Sequence, residues 1–129
     1  MSYLVKSTCT LNFEEHEFTG FFGVISPLDE DACSYTYTIR RDGMRLEFTI
    51  FPIDGEVYTD IYRDGVPEPI VRSRLQGCTH SRFTQVGSTQ RLEIGRPPVP
   101  TSEQDIPISW GLLLTVDPHL KLDLIYEES

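Results

Sequence analysis

The stretch YTYTIRRDGMRLEFTI, residues 35–50, constrains the fold of this chain more than any other. Asp42-Gly43 is a strong two-residue hairpin signal, because a type I′ turn needs positive φ at both central positions and these residue types tolerate it. Folding about that turn sets Arg41 opposite Met44, Ile39 opposite Leu46, Tyr37 opposite Phe48 and Tyr35 opposite Ile50. The intervening pairs, Arg40 with Arg45, Thr38 with Glu47 and Thr36 with Thr49, are polar. A slip of one residue would mix the two sets, so turn and pattern specify one register. Tyr35, Tyr37, Ile39, Leu46, Phe48 and Ile50 are expected to face a core.

The same period of two recurs along the chain. At Asp54-Gly55 a two-residue turn sets Ile50 against Thr59 and Phe48 against Ile61, and sends Val57, Thr59 and Ile61 inward. A three-residue turn would instead send Tyr58, Asp60 and Tyr62 inward, and the first is preferred because a buried Asp60 would need a partner. Near the C-terminus, Leu112, Leu114 and Val116 mirror Leu120, Leu122 and Leu124 about Asp117-Pro118-His119, which pairs Trp110 with Tyr126, Leu113 with Asp123 and Thr115 with Lys121. Residues 3–13 and 17–25 alternate as a further hairpin with EEHE at its tip, and weaker strands are expected at 69–75, 79–86 and 90–95. Proline-rich RPPVPTSEQDIP (96–107) reads as a long surface connection holding a helical turn after Ser102, and SPLDEDAC (26–33) as a second loop. These features predict one all-β domain spanning residues 1–129. It would be an antiparallel, meander-rich barrel or sandwich of about eight or nine strands with little helix, with a rolled, partly closed sheet favoured.

Charge narrows the partners. The chain of 129 residues has a formal charge of −9. Residues 1–39 and 97–129 each contribute −5, whereas residues 40–96, which hold all nine arginines, contribute +1. Such a balance disfavours nucleic acid and anionic membrane surfaces, both of which call for clustered cations. A basic protein partner would be steered toward it. The N-terminus MSYLVKSTCTLNF lacks the continuous apolar run of an export signal, so a cytoplasmic location is expected, with Cys9, Cys33 and Cys78 as free thiols.

Sites of chemistry are sparse in the pattern. Cys78 and His80 lie two apart, but zinc needs a second ligand pair that the sequence does not supply, so no metal or other cofactor is expected. No nucleophile elbow and no HExxH helix occurs, and no catalytic residue is assigned. His16 within EEHE sits among carboxylates that could raise its pKa, yet hairpin tips are ordinarily solvated. The arginine bias is more suggestive, because the guanidinium is the group of bidentate anion recognition. Arg72 and Arg74 share a strand face, and a fold about Gln76-Gly77 would add Thr79 and Ser81 to it. These four residues are the candidate binding site, a small anion or carboxylate pocket; cross-strand pairing with nearby acids is the plainer account of the arginines.

Two functional classes follow. The favoured one is a small acidic, non-enzymatic β-domain that binds another protein, such as an inhibitor or immunity-type module that neutralises a basic partner. The alternative is a small-molecule-binding β-barrel with Tyr35, Tyr37, Phe48 and Trp110 around an interior cavity, and a hydrolase or isomerase ranks last. They differ inside: a ligand barrel needs a cavity of ~300 Å³ or more, whereas an interaction module needs a filled interior and a functional exterior.

Overall fold

The computed structural model describes residues 11–126. One helix, α1 (Glu15–Phe22), precedes eight strands: β1 (Tyr35–Arg41), β2 (Met44–Phe51), β3 (Glu56–Arg63), β4 (Val71–Leu75), β5 (His80–Val86), β6 (Thr89–Arg96), β7 (Trp110–Thr115) and β8 (Lys121–Tyr126). The strands form two antiparallel four-stranded sheets, ordered β1-β2-β3-β4 and β5-β6-β7-β8. Each is a simple meander.

The first hairpin has the register expected from its turn. Arg41 faces Met44 and Tyr35 faces Ile50, with every intermediate pair as the alternation requires. Asp42 and Gly43 have φ of 58° and 73°, the left-handed values a type I′ turn demands. The C-terminal hairpin also forms as patterned, from Trp110 opposite Tyr126 to Thr115 opposite Lys121.

The second hairpin differs by two residues. Ile50 faces Val57 and Phe48 faces Thr59, not Thr59 and Ile61, and Phe51 opposite Glu56 closes a four-residue loop. Pro52 has no amide to donate, so the ladder stops at Phe51 and the turn widens. Gly55 N–H donates back to Phe51 O at 2.8 Å. A shift of two preserves the faces. Val57, Thr59 and Ile61 therefore still point inward and are buried.

The hairpin expected over 3–13 and 17–25 is not what residues 11–25 form; residues 3–10 lie outside the described residues. Instead Glu15–Phe22 is helical, with Glu15 and Glu17 in the acidic first turn that a helix dipole favours. Gly23 ends it in the left-handed conformation, its N–H donating to Thr19 O. Phe18, Phe21 and Phe22 stand at i, i+3 and i+4, so one helical face carries all three. Alternation would have put Phe21 in solvent. The 97–109 connection, in turn, carries no helix; Thr101 Oγ1 merely accepts from Glu103 N–H at 3.1 Å.

That helix fills the space between the sheets. Phe22 stacks on Tyr37 at 4.8 Å and lies 5.1 Å from Phe48, both of the first sheet, while Phe18 and Phe21 meet Phe83 of the second at 5.1 and 5.2 Å. Leu92, Ile94, Leu112 and Leu114 complete a single apolar cluster from the opposite side. The rolled, partly closed sheet is thus replaced by two separate sheets. Strands β4 and β5 are joined by residues 76–79, where Cys78 N–H donates to Gly55 O and Thr79 N–H to Gly95 O. The chain there leaves one sheet and enters the other.

Candidate interaction surface

The arginines singled out by sequence bind an anion, and it is the chain's own. Arg72 and Arg74 lie on β4 opposite Asp60 and Tyr58 of β3. Arg74 grips Asp60 with both terminal nitrogens, at 2.8 and 3.1 Å, and Arg72 Nε donates to it at 3.3 Å. Asp60 is nearly buried, which by itself raises its pKa; the hydrogen bonds and charges of Arg74, then Arg72, outweigh that and hold the carboxyl below its usual range. Arg74 also lies 4.5 Å from the centre of the Tyr58 ring, and Arg45 4.2 Å from that of Tyr62. The cross-strand account of these arginines is the one this geometry matches.

Thr79 and Ser81 do not join them, because the turn at Gln76-Gly77 passes between sheets and forms no hairpin. Thr79 Oγ1 bonds the Nδ1 of buried His80, whose Nε2 donates to Glu103 O at 2.9 Å. Ser81 Oγ donates to Asn12 O. His80 Nε2 therefore docks the 97–109 connection on β5 while Thr79 holds Nδ1, and Cys78 is fully buried. Among the described residues no group of three His, Cys, Asp or Glu is placed to hold a metal ion.

The second sheet repeats the arginine device around Glu93, which sequence reasoning missed. Its carboxylate, 4% exposed, accepts from Arg82 Nε at 3.2 Å, Arg91 Nη2 at 3.0 Å and Thr84 Oγ1 at 3.1 Å. Arg82 reaches on to Asp105 at 2.8 Å. Four arginines are thus spent on two central-strand carboxylates. An acid amid QRLEIG was the available signal, because an acid on a well-ordered strand needs a partner. Which strand would supply that partner depends on sheet order.

Most of the acids left unpaired gather elsewhere; among the described residues Glu68, Glu103 and Asp117 are the exceptions. Leu11 N–H donates to Pro52 O, the Phe13 ring lies 4.6 Å from Tyr35, and Asp29 bridges Ser34 just before β1. These contacts bring the segments 11–17, 29–34 and 51–56 to one end of the first sheet. Glu14, Glu15, Glu17, Asp29, Glu30, Asp31 and Asp54 are all exposed there. Among the described residues none of them forms an ion pair. Ile25 and Leu28, 80% and 46% exposed, sit in the same region. Apolar side chains rimmed by one sign of charge are a common makeup of protein-docking surfaces. EEHE at 14–17 is part of this end, as the first turn of α1.

Neither a family model nor a curated protein sequence matches this chain. Among solved structures, the fold is similar to a chain of the contact-dependent growth inhibition toxin–immunity protein complex from Klebsiella pneumoniae 342. Identity is 15% and the TM-score 0.68, over 90% of this chain and 96% of that one. At that identity the shared property is the fold.

Proposed function

We propose that this chain is an immunity-type protein-binding module that captures a basic protein partner and blocks its action. The observation that carries the reading is the segregation of charge. The arginines of the middle are largely neutralised by the chain's own carboxylates, and most of the unpaired acids lie at one end, where Ile25 and Leu28 are exposed in the adjoining segment. Such a field attracts a basic surface and orients it before contact. The fold's likeness to a chain of a toxin–immunity complex supports the same class.

The small-molecule barrel has less support. Tyr37 and Phe48, expected to line its cavity, are fully buried against Phe18 and Phe22. Tyr35 packs against Phe13 with the rings tilted at 36°, and Trp110 lies beneath the guanidinium of Arg96 at 4.0 Å. On the immunity reading the chain acts in the cytoplasm, where Cys33 remains a thiol.

The test begins with crosslinked capture from the native host, followed by reconstitution of the captured protein with the purified chain. The expected partner is basic, binds one to one, and loses its toxicity on co-expression. Its association rate should fall steeply with added salt and on joint Glu14→Gln, Glu15→Gln and Glu17→Gln replacement, with little change in thermal stability. An association rate indifferent to both perturbations would refute steering by this end.

A further inference from the structure

The two sheets end in four edge strands, β1, β4, β5 and β8. An edge strand offers unpaired backbone N–H and C=O groups to any chain of matching pattern. Three of the edges are occupied or repel their own kind. At β1 the Thr36 N–H is taken by Ser26 Oγ at 2.8 Å. At β5, Ser81 Oγ donates to Asn12 O, so the segment before α1 lies against that strand. At β4, Arg72 and Arg74 share the outer face, and a second copy paired antiparallel about Ser73 would set arginine against arginine.

Strand β8 differs. Among the described residues, β7 is its one strand neighbour. Leu122 and Leu124, with Leu120 just before the strand, face inward. Leu120 and Leu122 are partly buried against the core, whereas Leu124 is 56% exposed although it pairs with fully buried Leu112. The outward side chains of Lys121 and Asp123 carry opposite charges. They meet at 3.9 Å and stay 72% and 52% exposed.

This pattern is complementary to itself. In an antiparallel pairing about a twofold axis at Leu122, Lys121 faces Asp123 of the second copy, and Asp123 faces that copy's Lys121. On the inward side Leu122 meets Leu122 and Leu124 meets Leu120, which covers the leucine left exposed in the single chain. Moving the axis by one residue, to Lys121 or Asp123, keeps the faces aligned but opposes lysine to lysine or aspartate to aspartate. Charge therefore selects the Leu122 axis. A single charge guards an edge against pairing; two opposite charges flanking a leucine admit a copy while disfavouring other strands. Each chain carries −9, so two copies repel at long range. At physiological ionic strength the screening length is about 8 Å, and the field of the rest of each chain is largely screened at the strand pair.

We propose that β8 pairs with β8 of a second copy about Leu122, joining two four-stranded sheets into one of eight strands in a weak homodimer. One patch serves both partners, as twofold symmetry requires. The inference goes beyond the immunity-type reading and does not depend on it.

Sedimentation velocity of the full chain across about 5–500 µM tests it, because an interface of one strand pair falls in the small, transient class. A reversible monomer–dimer equilibrium is expected. Lys121→Asp should weaken it by about tenfold or more, because symmetry replaces two opposite-charge pairs by two like-charge pairs. Asp123→Lys lowers the net negative charge and with it the general repulsion, yet it should weaken the dimer as much. The swap of Lys121→Asp with Asp123→Lys restores both opposite-charge pairs and should return the equilibrium to near the native one. Amide hydrogen exchange locates the contact: protection that grows with concentration should be confined to residues 120–126. The replaced side chains are exposed, and far-UV circular dichroism with thermal melting reports whether each variant is folded. A chain that stays monomeric throughout the range would overturn the proposal. So would a dimer that survives Asp123→Lys, one that the swap does not restore, or one whose concentration-dependent protection falls on another strand.

Discussion

Replacing Glu93 by glutamine removes one charge from the middle of the second sheet and leaves the shape almost untouched. The carboxylate is 4% exposed and serves as the shared acceptor for Arg82, Arg91 and Thr84. An amide there keeps one oxygen, loses the charge and turns an N–H₂ toward groups that are themselves donors. Removing one partner of a buried ion pair costs about 3–5 kcal/mol, because the other charge is stranded. The two arginine side chains keep 22% and 32% exposure, and Arg82 keeps Asp105, so part of the stranded charge is rehydrated or paired. The expected loss is therefore about 2–3 kcal/mol. Urea unfolding followed by Trp110 fluorescence measures it: with a slope of about 1–3 kcal/mol/M, the midpoint should fall by about 1 M at unchanged slope. A companion variant, Arg82→Met with Arg91→Met and Glu93→Leu, should recover most of the loss because no charge remains stranded. A midpoint shift below about 0.3 M for Glu93→Gln would refute the account. A triple variant as unstable as the single one would assign the loss to packing.

Phe48→Ala opens a hole beneath Phe18 and Phe22 and should cost about 3–5 kcal/mol by the same assay; a cost below about 1 kcal/mol would mean the core closes around it. Asp60 contributes to the acid limb of stability. Its folded pKa lies below the unfolded value of about 4, so its contribution is complete above that value and is lost as pH falls through the folded one. Asp60→Asn should accordingly flatten the pH dependence of stability below about pH 4, and an unchanged acid limb would show that the arginines do not hold this carboxylate. Finally, Cys33 is exposed whereas Cys78 is fully buried, its thiol pushed up to about 12 by desolvation despite the opposing charge of Arg96. A disulfide-exchange reagent should modify Cys33 in the native protein and Cys78 only on unfolding. Fast native labelling of both would contradict the packing around residues 76–79.

Helix α1 was written in the chain, yet it was outweighed by a competing pattern. Phe18, Phe21 and Phe22 follow helical spacing and Gly23 provides a terminus, but the alternation in 17–25 also reads as strand. Eight residues give either period too few repeats to prevail. The core settles it, because Tyr37 and Phe48 on one side and Phe83 on the other leave a space that one helical face fills. Asp60 and Glu93 were visible as acids on strands; their partners were not. Arg72 and Arg74 reach Asp60 because β4 pairs with β3, and Thr79 and Ser81 are lost to that face because β5 begins a second sheet.

What the sequence by itself determined, then, is local: the inward faces of β1, β2 and β3 and the partners in the two hairpins of residues 35–50 and 110–126. Period-two patterning and a short turn act between neighbours in the chain, so they survive without knowledge of the rest. Only the tertiary structure decided that the meander divides into two sheets, that a helix occupies the space between them and that the arginines are consumed internally. Those outcomes depend on which distant segments share a volume and on which buried charges must be neutralised. Both are properties of the assembled core.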